Sequence, residues 1–333
     1  MSQLVTTLTD LIGDTPLLEL SRYGAHRGLN ARILAKLETR NPVGSVKDRI
    51  AWAIIRDAEE RGLLHPGGEI VDVTSGNTGI ALGAIAASRG YTSIFYASDN
   101  ISPDKLALLR AFGARIVKVP NTFFLDPDAL VLLRTRAQEE NPGAFFADQL
   151  SNPVNPRFHY ETTGPEIWQA TDGQVDILVG GVGTGGTLSG AGRYLKEHKP
   201  SVRVVAAEPG LGSVPTPENP YPKEIDGVHN VTEALPQQLP DNLDRALLDE
   251  IVALETDDAF AASRALAREE GLLAGTSAGA IVHVATLLAQ RAENAGKTIV
   301  VVIPDSGERY LSAGIYDDDD RVPAEQLVGA AAE

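Results

Sequence analysis

Residues 41–49 read Asn-Pro-Val-Gly-Ser-Val-Lys-Asp-Arg, a tight turn followed at once by the start of a helix. Pro42 and Gly44 mark the turn, and Ser45 can cap the helix. Apolar residues then recur at helical spacing, at Val46, Ile50, Ala53 and Ile54. Lys47 therefore lies in the first turn, where the partial positive charge of the helix end disfavours a second cation. An amine in this position loses its proton more easily and can act as a nucleophile.

The composition narrows the class of protein. The chain has 333 residues, 43% of them hydrophobic, which is enough for two lobes around a cleft. It has no cysteine, which excludes disulfides, thiolate metal sites and a cysteine nucleophile, and we expect no metal. The net charge of -16 argues against nucleic acids and anionic membranes as partners. No apolar run reaches the roughly 18 residues that span a bilayer, and no secretion signal is visible, so we expect a cytoplasmic protein.

Short apolar runs alternate with helical patterns along most of the chain. The predicted strands are 31–36, 69–73, 93–96, 115–119, 176–180, 203–208 and 298–303. The predicted helices are 47–61, 79–89, 103–112, 127–140, 163–169, 187–198, 256–270 and 278–292. This alternation is typical of an α/β fold in which helices cover both faces of mostly parallel sheets. Residues 148–156 and 211–239 are predicted to be irregular, and the acidic residues 317–333 to form a mobile tail.

A first polar loop, residues 74–79, follows one predicted strand and precedes a helix. It reads Thr-Ser-Gly-Asn-Thr-Gly, and its glycines allow the backbone to approach a ligand closely. Hydroxyl groups from Thr74, Ser75 and Thr78, together with free amides at the helix start, suit a small anion such as a carboxylate. A simple helix cap is the alternative, but a cap needs only one such residue.

A second loop, residues 181–187, reads Gly-Val-Gly-Thr-Gly-Gly-Thr. Backbone N–H groups at the start of the following helix can bind a phosphate without a lysine. The same loop contains G-x-G-x-x-G, and Glu208 ends the next strand, which is the pattern of a dinucleotide-binding oxidoreductase. That alternative leaves Lys47 and the first loop without a role. Thr184 and Thr187 also suit a phosphate monoester better than a bridging pyrophosphate.

A third loop, residues 275–280, opens the last long helix and carries Ser277. From the residues alone, Ser277 is best interpreted as a helix N-cap.

The loops and Lys47 together resemble the cysteine synthase and cystathionine β-synthase family of pyridoxal-phosphate enzymes. The motifs N-P-x-G-S-x-K-D-R, T-S-G-N-T-G and G-T-G-G-T occur in the family's order, and the resemblance runs over residues 12–310. It implies fold type II, the fold of tryptophan synthase β, with two lobes that each hold a mostly parallel sheet flanked by helices. The smaller lobe would cover about 45–150, and the larger one 12–44 with 151–310.

The resemblance also assigns roles to individual residues. Lys47 would form the internal Schiff base with pyridoxal 5'-phosphate, and Asn77 would bind the ring hydroxyl. Ser277 would face the pyridine nitrogen. The phosphate would lie on Gly183, Thr184, Gly185, Gly186 and Thr187. The substrate carboxylate would lie on Thr74, Ser75, Gly76, Thr78 and Gln149, with Gly227 nearby.

A serine at the ring nitrogen has a chemical consequence. Being neutral, Ser277 would leave the nitrogen largely unprotonated, so an α-carbanion is poorly stabilised and a β leaving group departs quickly. Lys47 is the obvious base for the α-proton. The resemblance thus implies replacement of the acetate group of O-acetylserine by sulfide, through an aminoacrylate, to give L-cysteine. Alternatives are O-phosphoserine as substrate, or cystathionine synthesis from serine and homocysteine. A homodimer is implied, with serine acetyltransferase as a further partner.

One stretch departs from the family pattern. Cysteine synthases usually read Gly-Ile-Gly where this chain has Gly227-Val228-His229-Asn230. His229 brings a titratable ring to a loop that crosses the cleft in relatives. This departure leaves the leaving group and the nucleophile open.

Overall fold

The strands of the protein form two sheets. The computed structural model describes residues 4–74, 76–216, 218–235 and 238–317. Its strands are β1 (Leu17–Glu19), β2 (Arg32–Leu37), β3 (Glu69–Val73), β4 (Thr92–Ser98), β5 (Arg115–Val119), β6 (Phe145–Phe146), β7 (Ile177–Gly181), β8 (Arg203–Pro209), β9 (Glu250–Leu254) and β10 (Thr298–Ile303). The predicted strands are thus all present, with ends that differ by no more than two residues.

Helices connect these strands. They are α1 (Ser21–His26), α2 (Lys47–Glu60), α3 (Asn77–Arg89), α4 (Pro103–Ala111), α5 (Thr122–Leu125), α6 (Pro127–Glu139), α7 (Val154–Glu161), α8 (Thr163–Ala170), α9 (Gly186–His198), α10 (Thr256–Glu270) and α11 (Thr276–Ala289). Helix α2 begins at Lys47 itself, as the apolar spacing predicts.

The larger sheet has the order β1-β2-β10-β7-β8-β9, and only β1 runs antiparallel to its neighbour. The smaller sheet, β5-β4-β3-β6, is parallel throughout. These parallel sheets confirm the predicted α/β class. The boundaries proposed for the two lobes stay a prediction.

Apolar cores lie on both faces of each sheet. On the larger sheet, α10 and α11 pack on one face, and α8 and α9 on the other. Helices α2, α3 and α4 cover one face of the smaller sheet, and α6 covers the other. Burial on both faces explains why these strands are nearly continuous apolar runs. Strand β10, Thr-Ile-Val-Val-Val-Ile, is buried along its whole length.

Some elements differ from the prediction. Residues 148–156 are expected to be irregular, yet α7 begins at Val154. Pro156 lies in its first turn, where a missing N–H costs no helical hydrogen bond. Strands β1, β6 and β9 and helices α1 and α5 are absent from the prediction. Of the predicted acidic tail, only Asp317 lies within the described residues. No helix among those described is both long and apolar enough to cross a membrane.

Candidate active site

A cavity of about 1120 Å³ lies between the two sheets. Its wall includes Lys47, Thr78 from the first polar loop, Thr184 from the second, and Ser277 from the third. Parallel sheets present the carboxyl ends of their strands, and the loops that follow them, at one edge. The fold therefore gathers at one cleft the segments that the sequence singles out separately.

Lys47 faces this cleft with an amine that has no hydrogen bond or ion pair among the described residues. Its Nζ lies 3.8 Å from the position that a Cβ on Gly183 would occupy. Burial of the amine lowers the pKa of Lys47 to about 8, and the Asp305 carboxylate opposes this shift. The sequence predicts a lowered pKa from the position of Lys47 at the helix end, but in the structure the main cause of the lowered pKa is the loss of water around the amine.

The residues after Lys47 anchor its helix. Arg49 is fully buried and donates to Glu38 Oε2 and to Glu166 Oε2, each at 2.6 Å. Asp48 accepts a 2.6 Å hydrogen bond from the backbone N–H of Val43. Because these contacts hold the first turn from both sides, the Lys-Asp-Arg sequence fixes where the lysine side chain begins.

The first polar loop forms a buried set of hydroxyl and amide groups. Thr78 donates from its hydroxyl to Gln149 Oε1, and both residues line the cavity. Thr74 accepts hydrogen bonds from the N–H groups of Gly76 and Gly79, at 3.3 and 3.2 Å. Gly76 has φ of +148°, and a Cβ there would lie 2.6 Å from Lys105, so glycine is required. Ser75 lies outside the described residues.

The second loop provides close backbone approach and free donors. Gly185 has φ of +81°, and a Cβ on Gly186 would lie 1.9 Å from Asn155 Oδ1. Thr184 accepts a 2.9 Å hydrogen bond from Asn155 Nδ2, which leaves its own hydroxyl hydrogen free. The N–H groups that open α9 have no partners within the helix, so together they form an anion site.

A buried histidine supports the second loop. His159 Nε2 lies 3.2 Å from Thr187 Oγ1, and its Nδ1 lies 2.8 Å from Thr163 Oγ1. Burial lowers the pKa of His159 to about 3, with the Arg49 charge adding to the effect. The imidazole is therefore neutral, and it positions the Thr187 hydroxyl without adding charge.

Asn77 is held from the far side of the cleft. Its Nδ2 donates to Asp305 Oδ2 at 2.5 Å, and its Oδ1 accepts from Arg309 Nη1 at 2.6 Å. Tyr310 donates its hydroxyl to the same Asp305 oxygen. Asp305 is fully buried, and its Oδ1 has no hydrogen-bond partner among the described residues. The amide of Asn77 therefore has one orientation.

Ser277 is in α11 and not at its cap. The N-cap is Gly275, and no hydrogen bond from the Ser277 hydroxyl to a described residue is present. The side chain is buried and lines the cavity. The N-cap interpretation of Ser277 is wrong, because the helix begins two residues earlier than such a cap requires.

Comparison with known proteins agrees with this geometry. A family model described as "Pyridoxal-phosphate dependent enzyme" matches residues 8–305. Cysteine synthase A of Escherichia coli (strain K12) is 41% identical over 321 residues, which cover 96% of this chain and 97% of the relative. The chain belongs to the cysteine synthase and cystathionine β-synthase family.

This pyridoxal-phosphate-dependent enzyme has other similar relatives. Cystathionine beta-synthase of Apis mellifera is 39% identical over 312 residues, which cover 93% of this chain and 61% of the relative. The crystal structure of O-ureido-L-serine synthase has a TM-score of 0.86 and 38% identity, over 98% of this chain and 100% of that chain. The family therefore includes members with different named products.

The residues present fit pyridoxal phosphate. Gly183 and Gly186 lack the Cβ atoms that would block close approach, and Thr184 and Thr187 line the same cavity. The unpaired amine of Lys47 lies beside Gly183. Such donors would hold a phosphate and a ring oxygen, and such an amine would react with an aldehyde; pyridoxal phosphate carries all three groups.

The dinucleotide interpretation is wrong for this family member. Glu208 is buried, and its Oε2 accepts hydrogen bonds from the N–H groups of Val231 and Thr232, at 2.7 and 3.0 Å. Its carboxylate therefore holds a loop in place and is not available to a ribose.

Three features of the enzyme's site were not predicted. Asp305 lies two residues after the end of the buried strand β10, and that position could have indicated it. Lys105 is buried and forms an ion pair with Asp226, which joins α4 to the loop before Gly227. Glu224, on the same loop, has its pKa raised to about 7 by burial and by the Asp226 charge.

Proposed function

We propose that this enzyme makes L-cysteine from O-acetylserine and sulfide by β-replacement. One observation carries the proposal. The unpaired amine of Lys47, with its pKa lowered to about 8, faces the same cavity as Thr78, which belongs to the loop suited to a substrate carboxylate. An amine of this kind is both a nucleophile toward an aldehyde and a base. The similarity to cysteine synthase A supports the same reaction.

The cofactor would be held at four points. Lys47 binds it covalently, Gly183 to Thr187 hold its phosphate, Asn77 donates to its ring oxygen and Ser277 faces its ring nitrogen. Bound there, pyridoxal phosphate supplies an acceptor for the electrons released at the substrate α-carbon. The fixed orientation of the Asn77 amide and the absence of a hydrogen bond from the Ser277 hydroxyl to any described residue support the last two assignments.

The substrate carboxylate would lie on the first polar loop, Thr74 to Thr78, beside Gln149. Thr78 already donates to Gln149 Oε1, which turns the Gln149 amide nitrogen away from Thr78 and leaves it available as a donor. Gly227 has no side chain to fill the space opposite, and it lines the same cavity.

Lys47 would then move one proton twice. Released from the cofactor, it takes the α-proton of the substrate as acetate leaves the β-carbon with the C–O electron pair. Sulfide adds to that β-carbon, and Lys47 returns the proton to the α-carbon. A lysine with a pKa near 8 can perform both transfers near neutral pH.

Two other substrate pairs are alternatives to O-acetylserine with sulfide. The similarity to cystathionine beta-synthase favours serine with homocysteine, and a cavity of about 1120 Å³ has room for a thiol amino acid. O-Phosphoserine is the third donor substrate. We infer a cytoplasmic homodimer, with serine acetyltransferase as a partner, from the resemblance to cysteine synthases alone.

A steady-state comparison tests the proposal. Purified protein should absorb near ~410 nm, the usual band of a lysine-bound pyridoxal cofactor. O-Acetylserine, O-phosphoserine and serine are each assayed with sulfide and with homocysteine, and Lys47→Ala is the inactive control. We expect the highest kcat/KM for O-acetylserine with sulfide. A colourless protein that binds NAD, or one with no β-replacement for any pair, refutes the proposal.

A further inference from the structure

His229 lies on the cavity wall beside the catalytic lysine. Its neighbour Val228 is buried, and the Val228 side chain is 2.8 Å from the position a Cβ on Gly181 would occupy. His229 itself is solvent-accessible and lines the cavity. The loop therefore buries Val228 in the core and presents the imidazole to the cleft.

The backbone fixes this position. The N–H of His229 donates to the Val182 carbonyl at 2.8 Å, so the loop runs along the start of the phosphate segment. The position of a Cβ on Gly183 lies 2.6 Å from Gly227 O and 3.8 Å from Lys47 Nζ. Gly227 and Lys47 thus meet at Gly183, and His229 is two residues further along the same loop.

The imidazole is free to meet a ligand. Within the part of the chain that the structure describes, no hydrogen bond or ion pair to the ring is present. The cleft walls displace part of the water around the imidazole and lower the pKa of His229, the Lys47 charge adds to this shift, and Asp226 opposes it. Asp226 is itself paired with Lys105. The ring is therefore uncharged near neutral pH and can accept a proton.

We propose that His229 is the general base that deprotonates the incoming nucleophile, so that the enzyme accepts thiols and other weakly acidic nucleophiles besides sulfide. The inference rests on the proposed β-replacement. A histidine at this place supplies what the family's glycine cannot, a proton acceptor on the wall of the cavity that Lys47 also lines.

The step balances as an addition. The S–H bond of the thiol breaks, its proton passes to the imidazole, and the sulfur electron pair forms the new C–S bond at the substrate β-carbon. Lys47 returns its proton to the α-carbon, and the imidazolium releases its proton to water. No oxidant or reductant is required.

Rates with nucleophiles of different acidity test this role. His229→Gly restores the family residue, His229→Asn keeps a polar side chain without a titratable ring, and His65→Asn is a control at an exposed position outside the cavity. The second half of the reaction is followed by the cofactor spectrum, with sulfide and with a series of thiols of increasing pKa.

We expect the two His229 variants to lose about 100-fold in rate with the least acidic thiol, the usual scale of general-base catalysis. Sulfide is far more acidic than an alkyl thiol and is already partly ionised at neutral pH, so with sulfide the loss should be below about threefold. The rate of the first half of the reaction, the loss of acetate measured with O-acetylserine alone, should be unchanged. If the His229 variants lose the same factor in rate with every nucleophile, or lose rate only in the first half of the reaction, the inference about His229 is wrong, whereas the proposed cysteine synthesis is unaffected. Absence of β-replacement in the wild type refutes the proposed function itself.

A measurement without turnover checks the placement. The chain has six histidines, so NMR of ¹³C-labelled imidazoles can follow each titration in the cofactor-free protein. We expect His229 to titrate below the usual value of about 6.5, and to shift upward in Lys47→Ala because a nearby cation is removed. No upward shift in Lys47→Ala means that the ring does not face the lysine, and the inference is wrong.

Discussion

Asn77 and Asp305, 228 residues apart, are joined by a 2.5 Å hydrogen bond from the Asn77 amide nitrogen to the Asp305 carboxylate. The bond ties the start of α3, beside the smaller sheet, to the segment after β10 in the larger one. Because Arg309 also donates a hydrogen bond to the amide oxygen of Asn77, the side-chain amide is held at both its nitrogen and its oxygen and cannot flip. The orientation of the proposed ring-oxygen donor is thus decided by Asp305 and Arg309, which are not among the residues that line the cavity.

Removal of the Asp305 carboxylate should therefore disturb both stability and the cofactor. Asp305→Ala leaves the Asn77 and Tyr310 donors without their acceptor in a buried place, so the free energy of unfolding should fall by about 1–3 kcal/mol. The absorbance band of bound cofactor should shift as Asn77 reorients. Asp305→Asn, which keeps an acceptor oxygen, is the matched control. Denaturant unfolding and absorbance spectra check both effects, and an unchanged band in Asp305→Ala would show that Asn77 is positioned otherwise.

Capture of the cofactor should depend on pH through Lys47. Only the unprotonated amine attacks an aldehyde, and the pKa of Lys47 is lowered to about 8. The rate at which cofactor-free enzyme binds pyridoxal phosphate covalently should rise as pH increases through about 8 and then level off. Stopped-flow absorbance measures it. Lys47→Ala should bind cofactor through Gly183 to Thr187 but show no covalent band and no turnover. A midpoint near 10.5 would contradict the shift.

Ser277 should control how quickly the leaving group departs. In Ser277→Asp, a carboxylate near the ring nitrogen favours its protonation, so electrons from the α-carbon are held longer. We expect slower loss of acetate and a lasting band at longer wavelength than the resting one, both visible in rapid-mixing spectra. Ser277→Ala, which adds no charge, should show neither change. Wild-type kinetics in Ser277→Asp would mean that this side chain does not face the ring nitrogen.

Thr78→Val tests the carboxylate site. The change removes a hydroxyl donor and leaves Gln149 Oε1 without its partner, so amino-acid binding should weaken by about 1–3 kcal/mol. Cofactor content should not change, because the phosphate segment is separate. Spectral titration with serine or cysteine measures the affinity. The control is Thr171→Val, which removes a buried hydroxyl outside the cavity lining. Equal affinities in wild type and Thr78→Val would place the carboxylate elsewhere.

His159 should contribute to loss of stability in acid. Its pKa is about 3 in the folded protein and near 6.5 when unfolded. Its contribution is fully present above pH 6.5 and declines as pH falls toward 3, by up to about 1.4 kcal/mol per pH unit.

Urea unfolding at several pH values tests this contribution. Asp48, Asp72 and Glu224, with pKa values raised to about 7, act in the opposite direction, so the informative quantity is the difference between variants. Wild type should lose stability faster in acid than His159→Gln, whereas the exposed His65→Gln should follow wild type. Parallel curves for wild type and His159→Gln would show that the imidazole is charged when folded.

Much of the fold was predictable because its information is local. Helix α2 begins at Lys47, and β3 and β10 have the predicted ends, since continuous apolar runs and 3.6-residue spacing reflect burial directly. The three glycine loops were recognisable for the same reason. Each follows its own strand or turn, and each carries the hydroxyl and glycine residues that its backbone requires.

The elements missed were those with mixed local signals. Strand β9, Glu250–Leu254, pairs only with β8 at the sheet edge, and its short apolar run does not distinguish strand from helix. Helix α7 was not predicted because Pro153 and Pro156 normally indicate the end of a helix, although proline is tolerated in the first turn.

By itself, the sequence determined most of the strands and helices, the three glycine loops and the presence of a reactive lysine, because these follow from propensity and spacing along the chain. Only the tertiary structure decided the pKa of Lys47, the hold of Asp305 on Asn77, and the placement of Ser277 and His229 in one cavity. Desolvation and hydrogen bonding depend on which distant segments become neighbours, and no local pattern contains that information.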